Sequence, residues 1–117
     1  MKIVNLFVYG TLRYGNVNHH RLEEFADTRQ FSTVKNFTIK YYHGLPYAVI
    51  SLGNEIIGEK YKISLRCLSK LDKMEQYNKR LDFNMYRRIS ITDTDGDSVF
   101  LYIGAEFFEL ATGEVLL

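Results

Sequence analysis

A chain of 117 residues, 46% of them hydrophobic, is long enough for one globular domain with a closed core and too short for two, so residues 1–117 read as a single domain. Fifteen Lys and Arg against fourteen Asp and Glu give no electrostatic footprint for nucleic acid, and the lone Cys67 excludes an internal disulfide. No stretch nears the roughly 18 apolar residues of a membrane span. The opening Met1-Lys2-Ile3-Val4-Asn5-Leu6 lacks the regions of a signal peptide, so the expected compartment is the cytoplasm and the expected partner a small molecule.

In chain order, Ile3 to Val8 is an apolar, β-branched and aromatic run, as in a strand covered on both faces, and it ends in the pentapeptide Tyr9-Gly10-Thr11-Leu12-Arg13. Asn18 is placed to cap a short helix through His20, Leu22 and Phe25. Phe31 to Tyr42 alternates loosely as a strand. His43-Gly44-Leu45-Pro46 punctuates it, and Tyr47 to Leu52 resumes a strand before a turn at Gly53-Asn54. Ile56 to Ile63 is the next strand, and Ser64 caps a helix from Leu65 to about Gln76. Met85 to Thr92 and Val99 to Ile103 are strands joined by a hairpin turn at Asp95-Gly96. The tail from Phe107 to Leu117 reads either as a last strand or as a segment docking Phe107 and Phe108. These elements predict the α+β class: a small mixed β-barrel of about six or seven strands with flanking helices, closure removing exposed edges.

The second helix carries the first chemical signal. At about 100° per residue from Leu65, Glu75 falls near 280°, between Leu71 near 240° and Leu68 near 300°, on the core-facing stripe, with Asp72 at its edge. A carboxylate there loses hydration, which favours its protonated form and suits proton transfer near neutral pH. The alternative is a helix-end carboxylate paired with Arg87 or Arg88. In the Tyr9 block, Gly10 permits a backbone path that a side chain would block, Thr11 keeps nearby N–H groups open to an anion, and Arg13 offers a planar donor for a carboxylate. The alternative is a tight turn with no ligand.

Weaker signals are assigned to structure. His19-His20 with Glu23-Glu24 has no third ligand at metal-binding spacing, so no metal is assigned. Asp93-Thr94-Asp95-Gly96-Asp97 is calcium-loop-like, but its glycine comes one place early and no closing Glu follows, which leaves a hairpin turn. Cys67 falls on the apolar side of the wheel and reads as core. The basic and aromatic residues between Tyr77 and Arg88 read as a solvated loop.

Taken in order, Tyr9 to Arg13, Gly15, Asn18-His19, Gly44-Leu45-Pro46, Ile57 to Ile63, Leu71-Asp72 with Glu75, and Tyr86-Arg87-Arg88 resemble the gamma-glutamylcyclotransferase family. The N-terminal block is most similar to its gamma-glutamylamine cyclotransferase and AIG2-like branch, and the resemblance covers nearly the whole chain. It implies a β-barrel with a cavity at its mouth, no cofactor, Glu75 as general acid/base, and a gamma-glutamyl substrate held by Tyr9, Gly10, Thr11, Leu12 and Arg13 with Tyr86 nearby. The reaction implied is ring closure of the gamma-glutamyl group to 5-oxoproline with release of the amine. Two other readings stay open: a non-catalytic small-ligand or regulatory module on the same fold, and removal of a gamma-glutamyl protecting group in a biosynthetic pathway. Gln76 follows the acid where family members often carry glycine, which leaves the leaving group undetermined.

Overall fold

A computed structural model describes residues 2–10, 12–42, 44–77 and 86–104, without the side chains of 23, 24, 26, 42 and 74–77. Strand β1 (Ile3–Val8) is followed by a 3₁₀ helix (His19–Thr28), β2 (Gln30–Tyr42), β3 (Leu45–Ser64), helix α1 (Leu65–Tyr77), β4 (Tyr86–Thr92) and β5 (Ser98–Gly104). The strands form one mixed sheet in the order β2-β3-β1-β5-β4, with β1 antiparallel to β3 and parallel to β5. The expected tail segment lies outside the described residues.

β1 is central, as its apolar run requires. Leu6, Phe7 and Val8 are all buried, and alternation sends them into two cores. Leu6 and Val8 join Leu22, Ile63, Leu68 and Leu71 beneath the helices, whereas Phe7 joins Val34, Ile56, Val99 and Leu101 inside the curl of the sheet. Gly58 lets β3 lie this close: a Cβ there would stand 2.5 Å from the Val8 carbonyl oxygen and 2.7 Å from the Phe7 ring.

Among the described residues the strands number five, fewer than the six or seven expected. Tyr47–Leu52 and Ile56–Ile63 belong to the single strand β3, and the Gly53-Asn54 turn is an irregularity within it. β2 and β3 pair from Gln30↔Lys60 to Lys35↔Glu55, then resume at Phe37↔Ile50, so Asn36 faces a four-residue excursion, 51–54. Asn36 at φ 70° and Gly53 at φ 85° make the bend, and the Gly53 N–H donates to Asn36 Oδ1 at 3.2 Å. The same bend turns the first half of β3 across the end of β1, where Ala48 pairs in parallel with Ile103 of β5.

The result is a curled half-barrel whose open side is drawn together by the β4–β5 loop. The Thr94 N–H donates to the Thr33 carbonyl at 2.9 Å, and Ser32 Oγ donates to Asp93 Oδ2 at 2.7 Å. Lys60 Nζ, from β3, donates to Asp93, Asp95 and Asp97 at 2.8, 3.1 and 2.7 Å. The calcium-like loop therefore closes on a cation supplied by the chain itself. Burial opposes the charge of Lys60, but the three carboxylates outweigh it and raise its pKa above the ordinary 10.5. Burial likewise opposes the charge of Asp93, and bonds from Lys60, Ser32 and the Asp97 N–H outweigh it, holding Asp93 below the ordinary 3.8.

Helix α1 begins as expected, with the Cys67 N–H donating to Ser64 Oγ at 3.1 Å. Cys67, Leu68 and Leu71 are buried and Arg66, Ser69, Lys70 and Lys73 exposed. Burying the two leucines contributes about 1.5–3 kcal/mol each. The first helix differs from expectation: it is a 3₁₀ helix, and Asn18 makes no side-chain cap. The i to i+3 bonds Arg13 N–H to Gly10 O, Asn16 to Arg13, His19 to Asn16 and Arg21 to Asn18 wind the preceding loop directly into that tighter form.

Candidate active site

The Tyr9 block leaves the end of β1 where β3 and β5 come together, and its first side chain fills that seam. Tyr9 Oη donates to the Tyr102 carbonyl at 2.6 Å and accepts the Ala48 N–H at 3.0 Å. Its ring is buried, so Tyr9 shapes the root of the loop. Gly10 is packed closely, since a Cβ would meet Pro46 Cγ at 3.1 Å; its φ is not among the positive ones. Its carbonyl turns inward and accepts from Arg13 N–H at 3.1 Å, Arg13 Nε at 3.3 Å and Asn16 Nδ2 at 2.9 Å. Thr11 lies outside the described residues. Leu12 is buried in the helix-side core, and its carbonyl accepts from His19 Nδ1 at 3.0 Å. The Arg13 side chain is exposed.

Tyr86 reaches the same place from β4. Its hydroxyl donates to the Pro46 carbonyl at 2.7 Å, and its ring stacks on Tyr47 at 4.6 Å between centroids and 17° between planes. Pro46 thus touches both separated blocks of sequence: the Gly10 backbone packs on its ring, and Tyr86 binds its carbonyl.

Two further groups hold the site: Glu59, which had no role of its own in the sequence beyond the Ile57 to Ile63 block, and Asp72, which the helix stripe placed at its edge without a partner. Buried Glu59 accepts the Tyr14 N–H at 2.7 Å and the Tyr61 hydroxyl at 2.9 Å through Oε1, with Arg29 Nη1 3.7 Å from Oε2. It therefore anchors the far end of the Gly10 loop. Burial first, and then the Glu59 carboxylate, hold the Tyr61 phenol well above its ordinary pKa. The second group is Asp72, whose Oδ1 accepts the Tyr102 hydroxyl at 2.6 Å and whose Oδ2 accepts Arg88 Nη1 at 2.7 Å. A carboxylate amid an apolar strand, as at Glu59, is the signal that a buried partner must exist.

Glu75 lies in α1, three residues beyond Asp72; its side chain is outside the described residues. The ion pair weighed for it with Arg88 meets a competitor, because Arg88 is bonded to Asp72. Among the described residues no group of three His, Cys, Asp or Glu is placed to hold a metal ion. No helix among them is long and apolar enough to cross a membrane.

The family described as gamma-glutamyl cyclotransferase, AIG2-like, matches residues 6–113 of this chain. A gamma-L-glutamyl-butirosin B gamma-glutamyl cyclotransferase of Niallia circulans is 32% identical over 74 residues, 62% of this chain and 46% of that protein. A Vibrio cholerae protein provisionally named a gamma-glutamylcyclotransferase is 30% identical over 105 residues, 90% of this chain and 85% of its own length. The crystal structure of an AIG2-like protein from Mus musculus shares the fold, with a TM-score of 0.64 at 24% identity over 90% of this chain and 79% of that one. The chain spans about half the length of several curated relatives it matches. Matched across nearly all of its sequence and sharing the curled sheet, the chain belongs to the gamma-glutamyl cyclotransferase, AIG2-like family.

Proposed function

We propose that the protein cyclises a gamma-glutamyl amine or gamma-glutamyl dipeptide to 5-oxoproline and releases the amine, with Glu75 as general acid/base. Glu75 takes a proton from the substrate's α-ammonium, and the freed nitrogen attacks its own γ-carbonyl carbon. A C–N bond forms, the bond to the leaving nitrogen breaks, and that nitrogen receives the proton from Glu75; the ring nitrogen sheds its second proton to the released amine, which departs as its ammonium. The nucleophile belongs to the substrate, so the protein's task is to fold the gamma-glutamyl chain until amine and carbonyl meet at roughly 3–3.5 Å. In this reading backbone N–H groups of the Gly10–Leu12 loop steady the developing oxyanion, Arg13 meets the substrate carboxylate, and Tyr86 with Pro46 walls the site.

The observation that carries the reading is the meeting of the Gly10 loop and Tyr86 on Pro46, while α1, which bears Glu75, is tied by Asp72 to the strand pair that supplies Tyr86. The butirosin relative favours a second reading within the same chemistry, removal of a gamma-glutamyl protecting group from a biosynthetic amine. The deciding experiment is Glu75→Gln assayed by 5-oxoproline release over a panel of gamma-glutamyl amines and dipeptides. The isostere keeps shape and ligand binding but cannot accept the proton, so turnover falls at least a hundredfold. Retention of more than about a tenth of kcat, a change of only ~1.4 kcal/mol, refutes the role of Glu75. A parent protein that binds these compounds and releases nothing is the non-catalytic module.

A further inference from the structure

We propose that Asp72 is a positioning residue, gripped by Tyr102 and Arg88 so that α1 presents Glu75 to the Gly10 loop at one fixed place; this rests on the cyclotransferase reading above. Arg88 and Tyr102 are directly opposite each other in the β4–β5 register, so their side chains leave the sheet side by side. Each takes a different oxygen of Asp72, at 2.7 and 2.6 Å. The Arg88 guanidinium is itself set in direction by the Phe100 ring, 4.8 Å from its centroid. Two donors on two oxygens fix the plane of the carboxylate, and with it the roll of the helix that carries it. An ion pair as exposed as this one contributes little to stability, so its value lies in direction.

Tyr102 also joins this grip to the substrate loop. Its hydroxyl holds α1, while its carbonyl accepts the hydroxyl of Tyr9, the residue next to Gly10. The helix and the loop are thus registered on one buried residue. Asp72 and Glu75, three apart on α1, stand on neighbouring rows of the same side of the helix. Helix roll at Asp72 is therefore inherited by Glu75, and a misplacement of about 1 Å is enough to cost two orders of magnitude in rate.

The test uses Tyr102→Phe, which removes one oxygen, and Asp72→Asn, which keeps the shape and removes the charge. Each is expected to lower kcat by about 10- to 100-fold with KM within about threefold of the parent, the mark of lost alignment with intact binding. Amide exchange over residues 73–77 should accelerate while that of β1 is unchanged. In a Glu75→Gln background, Tyr102→Phe should leave the residual rate as it was, whereas a merely structural loss would appear in both backgrounds. Full kcat in Tyr102→Phe, equal losses in both backgrounds, or unchanged exchange over 73–77 would each overturn the inference. If the parent releases no 5-oxoproline from any gamma-glutamyl compound tested, the cyclotransferase reading fails by itself, and the exchange over 73–77 decides whether the grip positions the helix.

Discussion

Replacing Lys60 by methionine would take the cation out of the loop that closes the half-barrel. The ammonium is almost fully buried, as is the Asp93 carboxylate, while Asp95 and Asp97 are half-exposed and can turn to water. Methionine fills the stem of the lysine but leaves Asp93 charged and buried without its counter-ion. Breaking such a pair from one side costs about 3–5 kcal/mol. For a domain of this size, at roughly 4 °C per kcal/mol, Tm should fall by roughly 10–20 °C. Asp97→Asn, removing a half-exposed partner, should cost only about 0–1 kcal/mol.

The pH dependence supplies the sharper test. Because folding depresses the pKa of Asp93, its contribution is present above the ordinary 3.8 and is lost as pH falls through the folded value. Because folding raises that of Lys60, its contribution is complete below 10.5 and is lost as pH climbs above it. The parent should therefore hold a level Tm between these flanks and decline on both. The gap between parent and Lys60→Met should be widest near neutrality and narrow as acid protonates Asp93, because the parent then loses the pair and the variant loses its isolated charge. Thermal denaturation from about pH 3 to about pH 11 reads the gap and the onset of both flanks. A deficit under about 1 kcal/mol at pH 7, or a gap that stays constant down to pH 3, would refute the assignment of the clasp as a buried pair.

Other perturbations separate scaffold from chemistry. Tyr9→Phe removes the hydroxyl that serves both Ala48 and Tyr102, so it should cost about 1–3 kcal/mol in chemical denaturation while the KM of the folded fraction stays put; a raised KM with unchanged stability would instead make Tyr9 a substrate contact. Gly58→Ala forces a methyl onto the Val8 carbonyl and should destabilise by at least about 2 kcal/mol, and a variant as stable as the parent would contradict the close approach of β3 to β1. An N-acetylated gamma-glutamyl compound lacks a basic amine to close the ring and should occupy the site unreacted, as mass spectrometry of the products would show; cleavage as fast as that of the free amine would mean attack by water or by an enzyme nucleophile.

Much of the scaffold was legible in sequence because its signals are local. A mostly apolar run marks a strand covered on both sides, as Leu6, Phe7 and Val8 are, and Ser64 ahead of a helical stripe marks a cap. What escaped depends on partners distant in the chain. Gly53-Asn54 carries the same local chemistry for a hairpin turn and for an excursion within one strand, and only the opposing Asn36 decides between them. At Gly10 the sequence suggested a backbone path closed to side chains, whereas its φ is not among the positive ones and the constraint there is close packing on the Pro46 ring, which lies in another element. The Asp93 loop was correctly read as a hairpin, and nothing in its own residues pointed to Lys60, 33 positions earlier, as its cation. Strand period shows that Glu59 and Lys60 face opposite ways, and two charges inside an apolar strand ask for two buried partners.

The place of β1 in the sheet bears on the order in which the chain becomes structured. An N-terminal strand at the centre, between β3 and β5, finds one neighbour near residue 60 and the other near residue 100. The β2–β3 hairpin can zip locally, but β1 stays half-paired until β5 arrives, and loop closure over most of the chain precedes that contact. During synthesis, the strand that roots the Gly10 loop would thus emerge before both of its neighbours and be locked only after β5, when Tyr9 reaches the Tyr102 carbonyl. Slow refolding is what so non-local a pairing leads one to expect, with a stopped-flow refolding rate faster than that of a local helical bundle of the same length counting against it.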